Sequence, residues 1–119
     1  TERIMMEELL DYTDPEFVQM EIDVHWIQRG GGNPVSWIRR GAGRMDLVHW
    51  KDFTIEAGEP VFAEIGSGNL EWEAILSACR EIGVKTYIVE QDSPRSIRSI
   101  FDSARLSYDY CTSLGLTAE

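Results

Sequence analysis

Basic residues are scarce in this chain. Eleven Lys and Arg stand against 21 Asp and Glu, a formal net charge of −10. A nucleic-acid binder presents a basic face to the phosphates, so this balance argues against nucleic acid as a partner, and against an anionic membrane surface. Long hydrophobic runs are missing: nothing approaches the ~18 apolar residues of a bilayer span. Cysteine is nearly absent. Cys79 and Cys111 lie neither in a CxxC pair nor beside a His at ligand spacing, which argues against a thiolate metal site. Both fall on apolar stripes of expected helices and read as buried free thiols, in keeping with a reducing, cytoplasmic setting. No signal peptide is expected from this opening: Thr1-Glu2-Arg3 leads into what reads as an amphipathic helix. It also opens without an initiator Met, which is expected of a processed end or of a piece of a longer chain. No low-complexity segment, linker or short repeat interrupts it.

What remains is the make-up of one small soluble domain: 119 residues, 43% hydrophobic and 27% charged. Most of the acidic excess reads as solvated surface, and a few carboxylates as inward-facing. Residues 1–12 are expected to be helical on Met5, Leu9 and Tyr12. Phe17 to Asp23 reads as a strand, and Gln28 to Gly32 as a flexible loop. Asn33-Pro34 starts a short helix that ends at Arg39-Arg40-Gly41. Met45 to Trp50 is a second strand, residues 53–60 a loop, and Val61 to Ile65 a weak third strand. Asn69 is the expected cap of a helix carrying Trp72, Ile75, Leu76, Cys79 and Ile82 at the 3.6 period, stopped by Gly83. Lys85 to Glu90 is a fourth strand. A last helix runs from about Pro94 to Leu114, with Ile97, Ile100, Phe101, Ala104, Tyr108 and Cys111 on one face. Strands alternating with helices predict an α/β fold with a parallel sheet.

Strand parity gathers the chemistry. Every second residue shares a face, which groups Gln19, Glu21 and Asp23, then Leu47, His49 and Lys51, then Phe62 and Glu64, then Ile88 and Glu90. Polar groups thus collect at the C-terminal strand ends, where α/β folds and barrels build sites. Asp23, His49 and Glu90 make a mixed oxygen and nitrogen ligand set suited to Mn²⁺, Mg²⁺, Co²⁺ or Zn²⁺. Singly, each has a plainer reading: a turn acid, a core histidine, a loop acid. His25 shares Asp23's parity but lies past the strand end, and reads as a loop or rim residue. Trp26 suits either the core or a platform for sugar C–H faces. Trp26, Lys51 and Glu64 are the candidate substrate contacts. Gly66-Ser67-Gly68 has the make-up of a phosphate cradle, but a tight turn needs the same residues, and the turn is the expected reading.

In order and spacing, several stretches resemble the sugar phosphate isomerase/epimerase family of xylose-isomerase-like barrels. They are Leu10 to Pro15, Met20 to Trp26, Asn33 to Ile38, Gly43-Arg44, Leu47 to Asp52, Ala63 to Trp72, Tyr87 to Asp92 and Ser107 to Tyr110. The resemblance implies the C-terminal half of a (β/α)8 TIM barrel, with four parallel strands equivalent to strands 5–8. It places metal ligands at Asp23, His49 and Glu90, and makes Glu90 the catalytic candidate for moving a substrate C–H proton through a metal-stabilised enediolate. The implied substrate is a sugar or cyclitol. Two positions depart from the pattern of many ketose epimerases. Trp26 stands where a substrate-contacting His follows the Asp by three residues, and Ile55 where an Arg follows the metal His by six.

Such barrels need roughly 200–250 residues. The resemblance therefore implies completion by a second copy of the chain, as a homo-oligomer, or by a missing N-terminal half-barrel, with a fourth ligand and a second acid/base supplied from there. A keto-cyclitol dehydratase with the same metal site and a non-catalytic assembly module are the alternatives. A DNA-repair nuclease is a poor fit to the charge.

Overall fold

The computed structural model describes residues 3–93 and 99–117. Its elements, in chain order, are α1 (Met5–Tyr12), β1 (Glu21–Asp23), α2 (Val24–Arg29), α3 (Pro34–Arg40), β2 (Leu47–Trp50), β3 (Asp52–Glu56), β4 (Glu59–Ala63), α4 (Trp72–Ile82), β5 (Thr86–Val89) and α5 (Ile100–Ser113). The fold is α/β, with helices flanking a parallel sheet of order β1-β2-β5. The register sets Asp23 beside His49 and His49 beside Ile88. Beyond β5, the Glu90 amide donates to the Trp50 carbonyl at 2.9 Å, carrying the ladder one residue further.

The parallel strands among the described residues number three, not the expected four. The expected third strand, Val61 to Ile65, overlaps β4, which pairs antiparallel with β3 in a hairpin of its own. Residues 53–60, expected to be a loop, supply most of β3 and its turn. The turn residues Ala57 and Gly58 have φ of 51° and 84°. Two positive φ values in a two-residue connection match the right-handed twist of a hairpin, so the chain folds back before it can enter the parallel sheet.

One sheet face is apolar. Ile22, Val48 and Trp50 are buried in a single core with Trp37 and Ile38 of α3 and Trp72, Ile75, Leu76, Ala78 and Cys79 of α4. The two helices begin differently. Asn33 caps α3 by accepting from the Ser36 amide at 3.1 Å, with Pro34 in the first turn. In α4 the cap position is Glu71, not Asn69, and no side chain caps it. Asn69 is held earlier, its amide donating to Asp52 at 3.1 Å. Gly83 ends α4 in the left-handed conformation, as expected.

Other stripes are turned differently from expectation. In α1, Met6 and Leu10 pack on the core while Met5, Leu9 and Tyr12 face outward. Phe17 and Val18 are exposed and precede the strand, which begins only at Glu21. Arg44 anchors this segment instead. Its buried guanidinium donates to the Val18 carbonyl at 2.8 Å, the Leu10 carbonyl at 2.9 Å and the Thr13 hydroxyl at 3.0 Å. In α5 the buried residues are Ser103, Ser107 and Cys111, while Ile100, Phe101 and Tyr108 face out. Small hydroxyl side chains let this helix approach closely, and Ser107 Oγ accepts from the Ile65 amide at 3.1 Å. Pro94 and Ile97, expected in the last helix, lie outside the described residues. Cys79 and Cys111 are buried free thiols. No helix among the described residues is long and apolar enough to cross a membrane.

Candidate metal centre

The second face of the sheet carries the polar parity. Asp23 closes β1 and also begins α2, its Oδ1 accepting from the amides of His25 at 2.8 Å and Trp26 at 3.2 Å. That cap fixes the carboxyl group, with Oδ2 3.6 Å from Lys51 Nζ. His49 stands on the neighbouring strand between two carboxylates, with Nδ1 2.7 Å from Glu90 Oε2 and Nε2 2.6 Å from Glu21 Oε1. Glu90, the residue after β5, places Oε1 2.8 Å from Lys51 Nζ. Lys51 reaches Asp92 as well, also at 2.8 Å.

One ligand atom from each of Asp23, His49 and Glu90 can be chosen so that all lie within 4.8 Å of one another. Atoms ligating one ion from about 2.1 Å are at most about 4.2 Å apart, so only a small inward adjustment separates this group from a coordination shell. Two carboxylates with one imidazole form a donor set of the kind divalent ions such as Mn²⁺, Mg²⁺, Co²⁺ and Zn²⁺ accept.

The electrostatics follow from the contacts. A carboxylate at each ring nitrogen suits a doubly protonated imidazole, and His49 is raised above the ordinary histidine value by Glu90 first and also by Glu21. Glu90 is held down to about 2, chiefly by the Lys51 ammonium and then by His49. Burial pulls Lys51 down, but Asp92, Glu90 and Asp23 outweigh it and leave its pKa above the ordinary lysine value.

The candidate substrate contacts divide. Trp26 lies on α2, 51% exposed, with its ring 5.8 Å from Lys51 Nζ. Lys51 is only 2% exposed and reaches the carboxylates. Glu64 presents no surface to solvent and stands outside the Asp23–His49–Glu90 group. His25, expected at a rim, is fully buried on α2 against the rings of Phe53 and Phe62, at 4.9 and 5.2 Å between centroids. A carboxylate followed by Val24-His25-Trp26-Ile27 was the available signal: an N-cap before a short helix. Asp92 went unnoticed because it lies past the strand end. The Gly66-Ser67-Gly68 turn is a cradle after all, but for the chain's own anion. The buried Asp52 carboxylate accepts from the amides of Gly66 and Gly68, each at 3.1 Å.

Solved structures share this fold. A sugar phosphate isomerase/epimerase from Parabacteroides distasonis ATCC 8503 matches 92% of this chain at 30% identity and a TM-score of 0.76. The fold is that of the sugar phosphate isomerase/epimerases. A second structure so described, from the same organism, matches 91% of the chain at 27% identity and a TM-score of 0.74. A xylose isomerase domain protein from Planctomyces limnophilus shares the fold at 23% identity, with 92% of the chain matched and a TM-score of 0.72. The chain spans 35%, 36% and 42% of these three proteins, and so matches only part of their fold. No family model and no curated protein matches the sequence.

Proposed function

We propose that this chain contributes a divalent-metal centre to a sugar or sugar phosphate isomerase or epimerase, with Asp23, His49 and Glu90 as ligands. The carrying observation is that these three side chains, at or just past the C-terminal ends of three adjacent parallel strands, bring ligand atoms within 4.8 Å of one another. When bound, a divalent ion polarises a substrate carbonyl and stabilises the negative charge that develops during proton transfer beside it. The chain's own residues prepare the place. The helix cap orients Asp23; Glu21 and Glu90 flank the His49 ring, one nitrogen of which would give up its proton and carboxylate partner to ligate; and the half-exposed Trp26 offers an aromatic face to sugar C–H groups.

Two roles were open to Glu90. The placement of its oxygen beside the ligand atoms of Asp23 and His49 supports the ligand role, and a second acid/base would come from the part of the barrel that a second copy or an N-terminal segment would add. Together with that part, the carboxylate-lined end of the sheet would face a sugar or cyclitol.

Thermal unfolding with and without Mn²⁺ tests the reading. An ion that binds only the folded state raises Tm. The expected result is a rise in the parent protein and none in His49→Ala. An equal rise in both removes His49 from the ligand set, and no rise in the parent removes the metal.

A further inference from the structure

We propose that the Lys51 ammonium is a built-in counter-cation of this centre, occupying the space between Asp23 and Glu90 and withdrawing towards Asp92 when a divalent ion binds. The inference rests on the metal reading above and concerns a residue outside the ligand set. Lys51 Nζ lies 2.8 Å from Glu90 Oε1 and 3.6 Å from Asp23 Oδ2, and so touches two of the three candidate ligands. An ammonium and a divalent ion placed against the same carboxylates repel each other strongly at such range, so one must yield.

The surroundings give Lys51 a place to yield to. Asp92 already accepts from Nζ at 2.8 Å, and it belongs to no ligand group among the described residues. The faces of Phe62 and Trp26, 5.4 and 5.8 Å from Nζ, form a further wall attractive to a cation. A role in grasping substrate would need a free donor. The ammonium has three N–H groups, and three carboxylates, Glu90, Asp92 and Asp23, face it. Before an ion arrives, Lys51 offsets the mutual repulsion of those carboxylates and keeps the centre assembled. The same charge then sets the ion's affinity, because binding must displace it.

Calorimetric titration of Mn²⁺ into the full, chelator-treated chain tests this, with circular dichroism to verify folding. Lys51→Met should tighten Mn²⁺ binding roughly tenfold, because the competitor is gone. Asp92→Asn should weaken binding severalfold, because Lys51 loses its alternative seat. In a Lys51→Met background, Asp92→Asn should change nothing further, since its effect travels through the ammonium. Equal or weaker binding in Lys51→Met overturns the proposal, as does tighter binding in Asp92→Asn or a full Asp92 effect in the double variant. If Lys51→Met does not fold, Asp92→Asn alone decides by the direction of its change. Failure of every folded protein to bind Mn²⁺ removes the metal reading itself. Binding by the parent with no gain in Lys51→Met removes only the role of Lys51.

Discussion

The Trp72 indole N–H donates to the Asp52 carboxylate at 2.7 Å, joining the first residue of α4 to the first residue of β3. Four amides converge on the same group: Phe53 at 2.8 Å and Gly66, Gly68 and Asn69 at 3.1 Å each. Asp52 is fully buried, so deleting its side chain strands several donors away from water. Each buried donor left without a partner costs about 1–3 kcal/mol. Asp52→Ala is therefore expected to lose at least about 3 kcal/mol in urea unfolding, and Asp52→Asn less, since one acceptor oxygen remains. Gly68→Ala should behave like the alanine variant, because a Cβ there would overlap the Asp52 carboxylate and the Phe53 carbonyl. A loss in Asp52→Ala no larger than that of a surface substitution would mean that the cradle is solvated.

The hairpin turn carries a correctable flaw. Ala57 holds φ at 51°, alone among the described non-glycine residues in having a positive φ. Asparagine tolerates that conformation far better, and Asn-Gly is the favoured pair for a two-residue hairpin turn. Ala57→Asn should raise the urea midpoint, by about 0.5–1 kcal/mol at unchanged m. An unchanged or lower midpoint would show that the hairpin does not close through this turn in solution.

The hairpin also marks where the sequence stops being legible. Period-two alternation located β1, β2 and β5, and the same parity put Asp23, His49 and Glu90 on one face, because a strand's geometry depends only on neighbouring residues. Whether Val61 to Ile65 would join the parallel sheet depended on a two-residue turn that forces the chain back, and Ala-Gly is a weak signal for it. The helix stripes failed for another reason. Met5, Leu9 and Tyr12 repeat as helical apolar residues should, but so do Met6 and Leu10, and periodicity alone does not say which stripe meets the core. In α5 the buried face is made of serines, which no search for apolar residues would choose. Lys51 was visible by parity, yet its charge role needed Asp92, a residue beyond the strand.

His25 is the next point of strain. It is fully buried, and neither ring nitrogen has a hydrogen-bond partner among the described residues. The rings of Trp26, Phe53 and Phe62 stand around it, at 4.6, 4.9 and 5.2 Å between centroids. An apolar ring of similar size keeps these contacts and removes two buried polar atoms without partners. His25→Phe is expected to stabilise the protein by about 1 kcal/mol at neutral pH. Destabilisation by a similar amount would indicate that the imidazole gains a partner when the barrel is complete.

The two histidines should pull the metal-free protein's pH dependence in opposite directions. His49 is raised above its ordinary value by Glu90 and Glu21. Its contribution is fully present below the unfolded value of ~6.5 and is lost as pH rises through the folded one. His25 is lowered by burial, so its contribution is present above ~6.5 and is lost as pH falls through its folded value. Glu90, held to about 2, contributes above ~4.3 and loses this only as pH falls towards its folded value, so it stays nearly constant through the histidine range. Urea midpoints measured in chelator from about pH 5 to 9 separate the two. His49→Gln should show its largest deficit at the acid end and approach the parent at the alkaline end. His25→Phe should show the reverse pattern of gain, its advantage over the parent growing as pH falls below ~6.5. The His49 result carries the weight, because the ring is raised by Glu90 first and also by Glu21. A His49→Gln deficit that is level across the range, or that widens as pH rises, would mean that Glu21 and Glu90 do not hold the ring in solution.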